Sequence, residues 1–271
     1  MDRKPNELDD VSEDRYATGF LSKDIPTELT RLRTLETWSD PVSKAMILQR
    51  GIRPNWSCLE MGAGAGSMSY WLAEQCPEGR IVAADNDPRY LEDGRAPNLE
   101  IARVDLTKHE FPPASFDLVH ARFLLSHLAP RNDIVRRAVQ WLAPGGTLLV
   151  EDYYVLPIEE IPNRAWRELM DGVKRAFLVQ GSDTQWVRQI PSLFVELGLE
   201  DLRIDMTPVL IGQDNVSNEV WSLGLAQFVP FMLEKGLITR EQVAAYHAQP
   251  QAARVDLPFA TLSVSARRGE G

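Results

Sequence analysis

The run Leu59-Glu60-Met61-Gly62-Ala63-Gly64-Ala65-Gly66-Ser67 constrains this chain more than any other stretch. An apolar strand enters it, an acid stands at its rim, and three glycines alternate with small residues before an amphipathic segment, Met68 to Gln75, leaves it. Glycine reaches positive φ and lets a ligand approach without a Cβ in the way. A helix beginning near Ser67 offers backbone N–H groups at its positive end. Such a strand-to-helix turn suits a nucleoside-bearing ligand lying across it, although a plain tight turn has the same composition.

Downstream, strand and helix signals alternate. Strands are expected over Ser57–Met61, Arg80–Asp85, Leu99–Asp105, Phe116–Ala121 and Thr147–Asp152, the last entered through a tight Pro144-Gly145-Gly146 turn. Helices are expected up to Gln75, from Pro88, and through Ile134, Val135, Ala138, Val139 and Leu142. Before the glycine run, Ile25 to Trp38 carries helical spacing with Thr27 near its start. Asp40-Pro41 opens a second helix that Gly51 closes. The first twenty or so residues are acidic and weakly patterned.

In the second half, Trp166, Leu169, Met170, Val173 and Phe177 mark an amphipathic helix. Pro191–Leu197 marks another, Arg203–Leu210 and Phe259–Ala266 read as strands, and Val216–Leu233 precedes a helix with a Thr239-x-x-Gln242 capping box. The pattern implies an α/β fold: a Rossmann-like, doubly wound, mostly parallel sheet of about seven strands with an added helical lid. The expected division is a helical segment over residues 1–52, a ligand-binding core over 53–155, and a remainder, 156–271, that completes the sheet and supplies the lid.

Composition narrows the partners. A net charge of −10 repels phosphate backbones, and the short basic groups Arg131/Arg136/Arg137 and Arg267/Arg268 are interleaved with acids, so no nucleic acid is expected. No apolar run approaches the roughly 18 residues of a membrane span. The first residues lack the apolar core of a secretory signal. Two cysteines, Cys58 and Cys76, form neither a disulfide framework nor a metal spacing, which fits a reducing, cytoplasmic setting and no metal. A homo-oligomer is left open.

Three more signals accompany the glycine run. Asp85 ends a strand about twenty residues on, where an acid can accept from a ribose diol. Asp105 precedes Leu106 at the end of the next strand. Phe116-Asp117-Leu118-Val119-His120-Ala121 and Leu142-Ala143-Pro144-Gly145-Gly146-Thr147 complete the set. Together, over Trp56 to Asp152, these resemble the class I S-adenosylmethionine-dependent methyltransferases; with the N-terminal Glu28-x-x-Arg31-Leu32 and the long helical C-terminal region, the chain resembles within them the bacterial small-molecule enzymes similar to those of ubiquinone and menaquinone biosynthesis. The Gly62-x-Gly64-x-Gly66 spacing departs from the G-x-G-x-x-G dinucleotide fingerprint, which argues against NAD.

The resemblance implies S-adenosyl-L-methionine as cofactor. It implies that Glu60, Gly62, Gly64 and Gly66 hold the methionine moiety, that Asp85 with Asn86 beside it accepts the ribose hydroxyls, and that Asp105 reads the adenine amine while Leu106 packs on the ring. The backbone near His120 and Ala121 would line the methionine amine, and Arg31 would reach the cofactor carboxylate. No Asn-Pro-Pro-Tyr tetrad follows the fourth strand; His120-Ala121-Arg122-Phe123 stands there. The expected partner is a small-molecule methyl acceptor, O- or N-methylated, of secondary-metabolite type. His127 and Asp152, at the rim of the fourth and fifth strands, are the candidate bases, with Ser126 or His120 as alternatives. Trp166, Trp186 and Trp221 in the expected lid suit a flat or apolar acceptor. The competing reading is a methyltransferase-fold protein that binds the cofactor without transferring methyl, as a cyclase or scaffold.

Overall fold

Residues 19–213 and 215–270 are described by a computed structural model of the chain; the reading of the extreme N-terminus therefore falls largely outside the described residues. Seven strands form one sheet in the order β3-β2-β1-β4-β5-β7-β6. They are β1 (Ser57–Met61), β2 (Arg80–Asp85), β3 (Leu99–Arg103), β4 (Phe116–Arg122), β5 (Leu142–Val155), β6 (Leu199–Ile211) and β7 (Asp256–Arg268). β1 to β5 pair in parallel, while β7 runs antiparallel to both β5 and β6. The mostly parallel, seven-stranded sheet read from the alternation is thus present.

Helices α1 (Glu28–Gln49) and α2 (Ser67–Gln75) cover one face. There, Met46, Ile47, Met68 and Leu72 pack on Cys58, Ile81, Leu118 and Leu149. On the other face, α3 (Arg131–Trp141) and α5 (Ile190–Glu196) bury Ile134, Val135 and Phe194 against Leu59, Val82, Val119 and Leu148. A second apolar cluster sits over the C-terminal edge of the sheet. It joins α4 (Arg164–Val179), α6 (Val216–Glu234) and α7 (Arg240–His247) through Trp166, Met170, Trp221, Phe228 and Tyr246. The capping box at Thr239 and Gln242 forms as expected. Phe20 plugs an N-terminal turn into this lid, edge-on to Phe177, Phe228 and Phe231.

Four local expectations are corrected. The two N-terminal helices are one, with Pro41 inside it. Proline removes only its own N–H, and the adjoining turn is pinned because Asp40 accepts from Arg122 and pairs with Lys44. Thr27 does not cap this helix; its hydroxyl accepts from Gln227 on α6. No helix follows Pro88. The amides of Asp87 and Arg89 are taken by the carboxylates of Asp85 and Asp87, that of Glu92 by the Tyr70 hydroxyl, and Gly94 sits at φ +73°, so the chain crosses to β3 in turns. The Pro144-Gly145-Gly146 turn lies within β5, as an irregularity between the Phe116–Leu142 and Leu118–Thr147 pairings.

The α1 face turns polar toward the C-terminal ends of the strands. In β1 the sequence passes from Cys58 to Glu60, in β4 from Leu118 to His120 and Arg122, in β5 from Leu149 to Glu151. Opposite them α1 presents Ser39, Asp40 and Ser43, all buried. Arg122 donates to Ser43 and Asp40 at 2.9 Å each. At the other end of α1, Arg50 is 2 % exposed and bonds Ser265 of β7 and Asp201 of β6. Replacing a buried, multiply bonded cation strands its partners. Arg50→Met is expected to lower unfolding free energy by about 1–3 kcal/mol, read from urea denaturation; a change within about 0.5 kcal/mol would show that α1 is not anchored there.

Candidate functional site

One cavity of about 730 Å³ lies between the C-terminal edge of the sheet and the lid. The glycine turn forms one end. The Gly62 and Ala63 amides donate to Ala84 O of β2, and the Gly64 amide donates to Asp85 Oδ2 at 3.0 Å. Gly64 has φ +61°, and a Cβ built on it would meet nothing nearer than Gly62 O at 3.9 Å, so this part of the turn faces open cavity. Gly66 is different. At φ +97° it caps α2, and a Cβ would lie 2.5 Å from the Tyr70 ring, so glycine is required there by packing as well as by backbone conformation.

The end of the cavity around the turn is acidic. Glu60, Asp85 and Glu36 line it, and Asp40 lies behind Ser67, accepting from its hydroxyl. At the α2 N-terminus the Ser67 amide already donates to Glu36 Oε1 at 3.1 Å. Burial raises the Glu36 carboxyl above its ordinary range, although the Ser67 bond opposes this. A pyrophosphate would meet carboxylates where a dinucleotide site offers bare amides. A cationic ligand finds a matched wall, and the donor set fits a sulfonium with an α-ammonium group better than it fits a phosphate.

Each acid is held by a partner. Asp85, 5 % exposed, accepts from Gly64 and Asp87 amides and pairs with Lys23 Nζ at 2.9 Å. Lys23 belongs to the N-terminal turn. That turn is clamped further by Tyr90, whose hydroxyl donates to Lys23 O, and by Arg89 on Asp24. Glu60 Oε2 lies 2.6 Å from His120 Nδ1, and His120 Nε2 lies 2.9 Å from Glu151 Oε2. Arg31 makes a bidentate contact with buried Glu28 at 2.7 and 2.8 Å and faces the cavity.

Of the residues expected from the sequence, Glu60, Gly62, Gly64, Asp85, Asn86, Asp105, Leu106, Arg31 and His127 line this cavity. Asp105 also caps its own turn, accepting from the Thr107 amide and hydroxyl. Gly66, His120, Ala121 and Asp152 do not line it. β4 continues to Arg122, one residue past its expected end, so the wall is made by Arg122, Phe123 and Leu124 while His120 and Ala121 stay inside the sheet. Asp152 is fully buried, with its oxygens accepting from the Ser126 amide and hydroxyl and the Tyr153 amide. Its contact is with the turn carrying His127, not with the cavity. Among the three lid tryptophans, Trp221 reaches the cavity wall, Trp166 is the centre of the lid core, and Trp186 belongs to the core beneath the sheet.

The far end of the cavity is aromatic. Trp38 stacks on Phe123, Phe123 on Tyr153 at 4.2 Å, and Tyr153 meets Phe259 edge-on. Phe123 sits at φ +52°, a left-handed conformation costly for a side chain of this size, with its amide donating to Glu151 O. Neither this strained turn nor the roles of Lys23, Glu36 and Tyr153 were read from the sequence. Phe123 follows a strand without any glycine to signal a left-handed residue, and Lys23 precedes every periodic element.

Comparison with known proteins accords with this geometry. Residues 59–150 match the family model of the methyltransferase domain. Over that stretch the chain is similar to a methyltransferase domain. Over 121 residues it is 36 % identical to Methyltransferase str3 of Strobilurus tenacellus, which covers 44 % of this chain and 41 % of that one. Over 112 residues it is 33 % identical to the ubiquinone/menaquinone biosynthesis C-methyltransferase UbiE of Ectopseudomonas mendocina, covering 38 % and 44 %. The chain thus matches less than half the length of these curated relatives. A Haemonchus contortus phosphoethanolamine N-methyltransferase 2, solved with S-adenosyl-L-methionine, shares the fold at a TM-score of 0.61 and 16 % identity, over 96 % of this chain and 61 % of that one. Among the described residues no cluster of His, Cys, Asp and Glu could hold a metal ion, and no helix is long and apolar enough to cross a membrane.

His127, on the cavity wall, bonds the Ser182 hydroxyl through Nδ1 at 2.9 Å. Burial, with Arg31 and Arg131 nearby, pushes its pKa down to about 4. A histidine that titrates near 6.5 when unfolded and near 4 when folded binds fewer protons in the native state between those values. Stability is therefore lost as pH falls from about 6.5 toward 4. Asp152, raised to about 6 by burial, acts in the opposite direction over part of that range, so the test compares variants. His127→Gln is expected to flatten the acid-side loss of thermal stability relative to wild type; parallel curves would show that His127 is not desolvated.

Proposed function

We propose that this chain is a methyltransferase that uses S-adenosyl-L-methionine to methylate an apolar, planar small molecule at oxygen or nitrogen. The observation that carries the reading is the division of one cavity into an acidic end at the glycine turn and an aromatic end under the lid. When bound, S-adenosyl-L-methionine supplies an electrophilic methyl group on a sulfonium. Glu60 and the Gly62–Gly64 backbone would hold its methionine end, Asp85 and Asn86 its ribose hydroxyls, and Asp105 and Leu106 its adenine. Lys23 would yield or share Asp85 on binding, because the ammonium occupies one of the oxygens the ribose needs.

The aromatic wall of Trp38, Phe123 and Tyr153 would pack against the acceptor and exclude water from the developing bond. His127 is neutral at pH 7 and faces the cavity, so its imidazole is in the form that accepts a hydroxyl proton. Its depressed pKa makes it a modest base, and alignment carries more of the rate than proton abstraction does. Asp152 acts through Ser126, holding the turn that presents His127. The Phe123 strain is the kind of feature that substrate sites retain.

The direct test is turnover on a panel of planar phenols and amines, following S-adenosylhomocysteine and methylated product together. Stoichiometric appearance of both supports the reading; cofactor binding with no product from any acceptor would favour the non-transferring alternative. Asp85→Ala is expected to weaken S-adenosylhomocysteine binding by about 1.5–3 kcal/mol, measured by calorimetry, and wild-type affinity in the folded variant would remove Asp85 from the site. With a hydroxyl acceptor, His127→Ala should lower kcat about 10²-fold at unchanged cofactor affinity. Near-full turnover would leave catalysis to positioning alone.

A further inference from the structure

We propose that His120 is a positioning residue for the cofactor: clamped between two carboxylates inside the sheet, it fixes the Glu60 carboxylate on the cavity wall, aimed at the cationic methionine end. This inference rests on the cofactor reading above. Its basis is a chain of polar groups crossing four strands. Glu60 of β1 and His120 of β4 are direct register partners. Glu151 of β5 lies on the same face, and Ser263 of β7 is its register partner. The contacts run Glu60 Oε2 to His120 Nδ1 at 2.6 Å, His120 Nε2 to Glu151 Oε2 at 2.9 Å, and Ser263 Oγ donating to Glu151 Oε1 at 2.6 Å.

The chain has two unlike ends. Glu151 and Ser263 are sealed in the sheet, whereas Glu60 lines the cavity. An imidazole bonded through both nitrogens to carboxylates cannot rotate without breaking a charged contact, so it holds Glu60 in one orientation. A buried charged triad is no more stabilising than apolar side chains of the same volume. Stability alone therefore does not account for placing charge here, where the sheet meets the ligand cavity; a preoriented carboxylate does.

The imidazole is the only cation within the chain of contacts. Burial depresses its pKa, but Glu60 and Glu151 outweigh this and hold it at about 9, so it is protonated at neutral pH. The other charged groups on this face are Arg122, two residues along β4, and Asp40 and Glu36 on α1. Arg122 is committed to Asp40 and Ser43, and Glu36 to Ser67. None replaces the His120 proton when it is lost, and the two carboxylates then repel each other with no cation between them.

The test is S-adenosylhomocysteine affinity by calorimetry for wild type, His120→Gln, Glu60→Gln and the double variant, with thermal stability recorded alongside. Each single change is expected to weaken binding about 10-fold at pH 7 and the double change by about the same factor, because His120 acts through Glu60. Raising pH from 7 to 10 should weaken wild type about 10-fold more than His120→Gln. Both keep Glu60, so the ligand's own amine contributes equally and the difference belongs to His120. Wild-type affinity in His120→Gln, or a double variant near 100-fold, overturns the inference. If His120→Gln fails to fold, His120→Asn replaces it, and a pH profile identical to that of wild type overturns the inference. Absence of binding by wild type would instead overturn the cofactor reading itself.

Discussion

Three acids around the glycine turn, Glu60, Asp85 and Asp40, are each paired with a cation supplied by a different part of the chain, and the shape of the site depends on that pairing. Glu60 of β1 takes His120 of β4, Asp40 of α1 takes Arg122 of β4, and Asp85 of β2 takes Lys23 of the N-terminal turn. An unpaired carboxylate at this depth would cost several kcal/mol or take up a proton. Paired, the carboxylates stay where the backbone puts them. Because the partners come from separate elements, the same contacts that neutralise the acids also lock α1 and the N-terminal turn onto the sheet. A wall built this way is preorganised, with its carboxylate oxygens fixed as acceptors for a ligand's N–H and O–H groups.

The other half of the cavity follows different physics. The lid has its own apolar core, centred on Trp166, Met170 and Phe228, and meets the sheet through the extension of β5 and β7 beyond the end of β4. That extension carries Tyr153 and Phe259 out over the strand ends, where Phe123 and Trp38 complete the aromatic wall. Phe20 ties the N-terminal turn to the lid while Lys23, three residues later, ties it to Asp85. One short turn thus touches both halves of the cavity, and the cofactor end and acceptor end are mechanically connected through it.

The fold was legible because its signals are local. Parallel strands buried on both faces read as apolar runs, and the β1–α2 turn needs glycine for reasons visible in a single sequence, as Gly66 illustrates. The acids near strand ends were legible for the same reason: Asp85 stands where β2 stops, and Asp105 lies two residues past the end of β3, which stops at Arg103 and not at Asp105 as the sequence suggested. What could not be read depends on neighbours distant in the chain. His120 looked like a rim residue until β4 proved to run on to Arg122, and its two carboxylate partners lie 60 and 31 residues away. Asp152 looked like a base because it follows an apolar strand; only the fold brings Ser126 onto its oxygens. Pro41 suggested a helix boundary, which tertiary bonds to Asp40 overrode.

The central claim is that the acidic turn selects a cationic cofactor over a dinucleotide, and competing ligands test it most directly. Calorimetric titration of the unmodified chain with S-adenosyl-L-methionine and, separately, NAD at the same ionic strength should give saturable binding of the first and none of the second. Binding of NAD with no binding of S-adenosyl-L-methionine would contradict the account, because the carboxylates of Glu36 and Glu60 would then be facing a pyrophosphate.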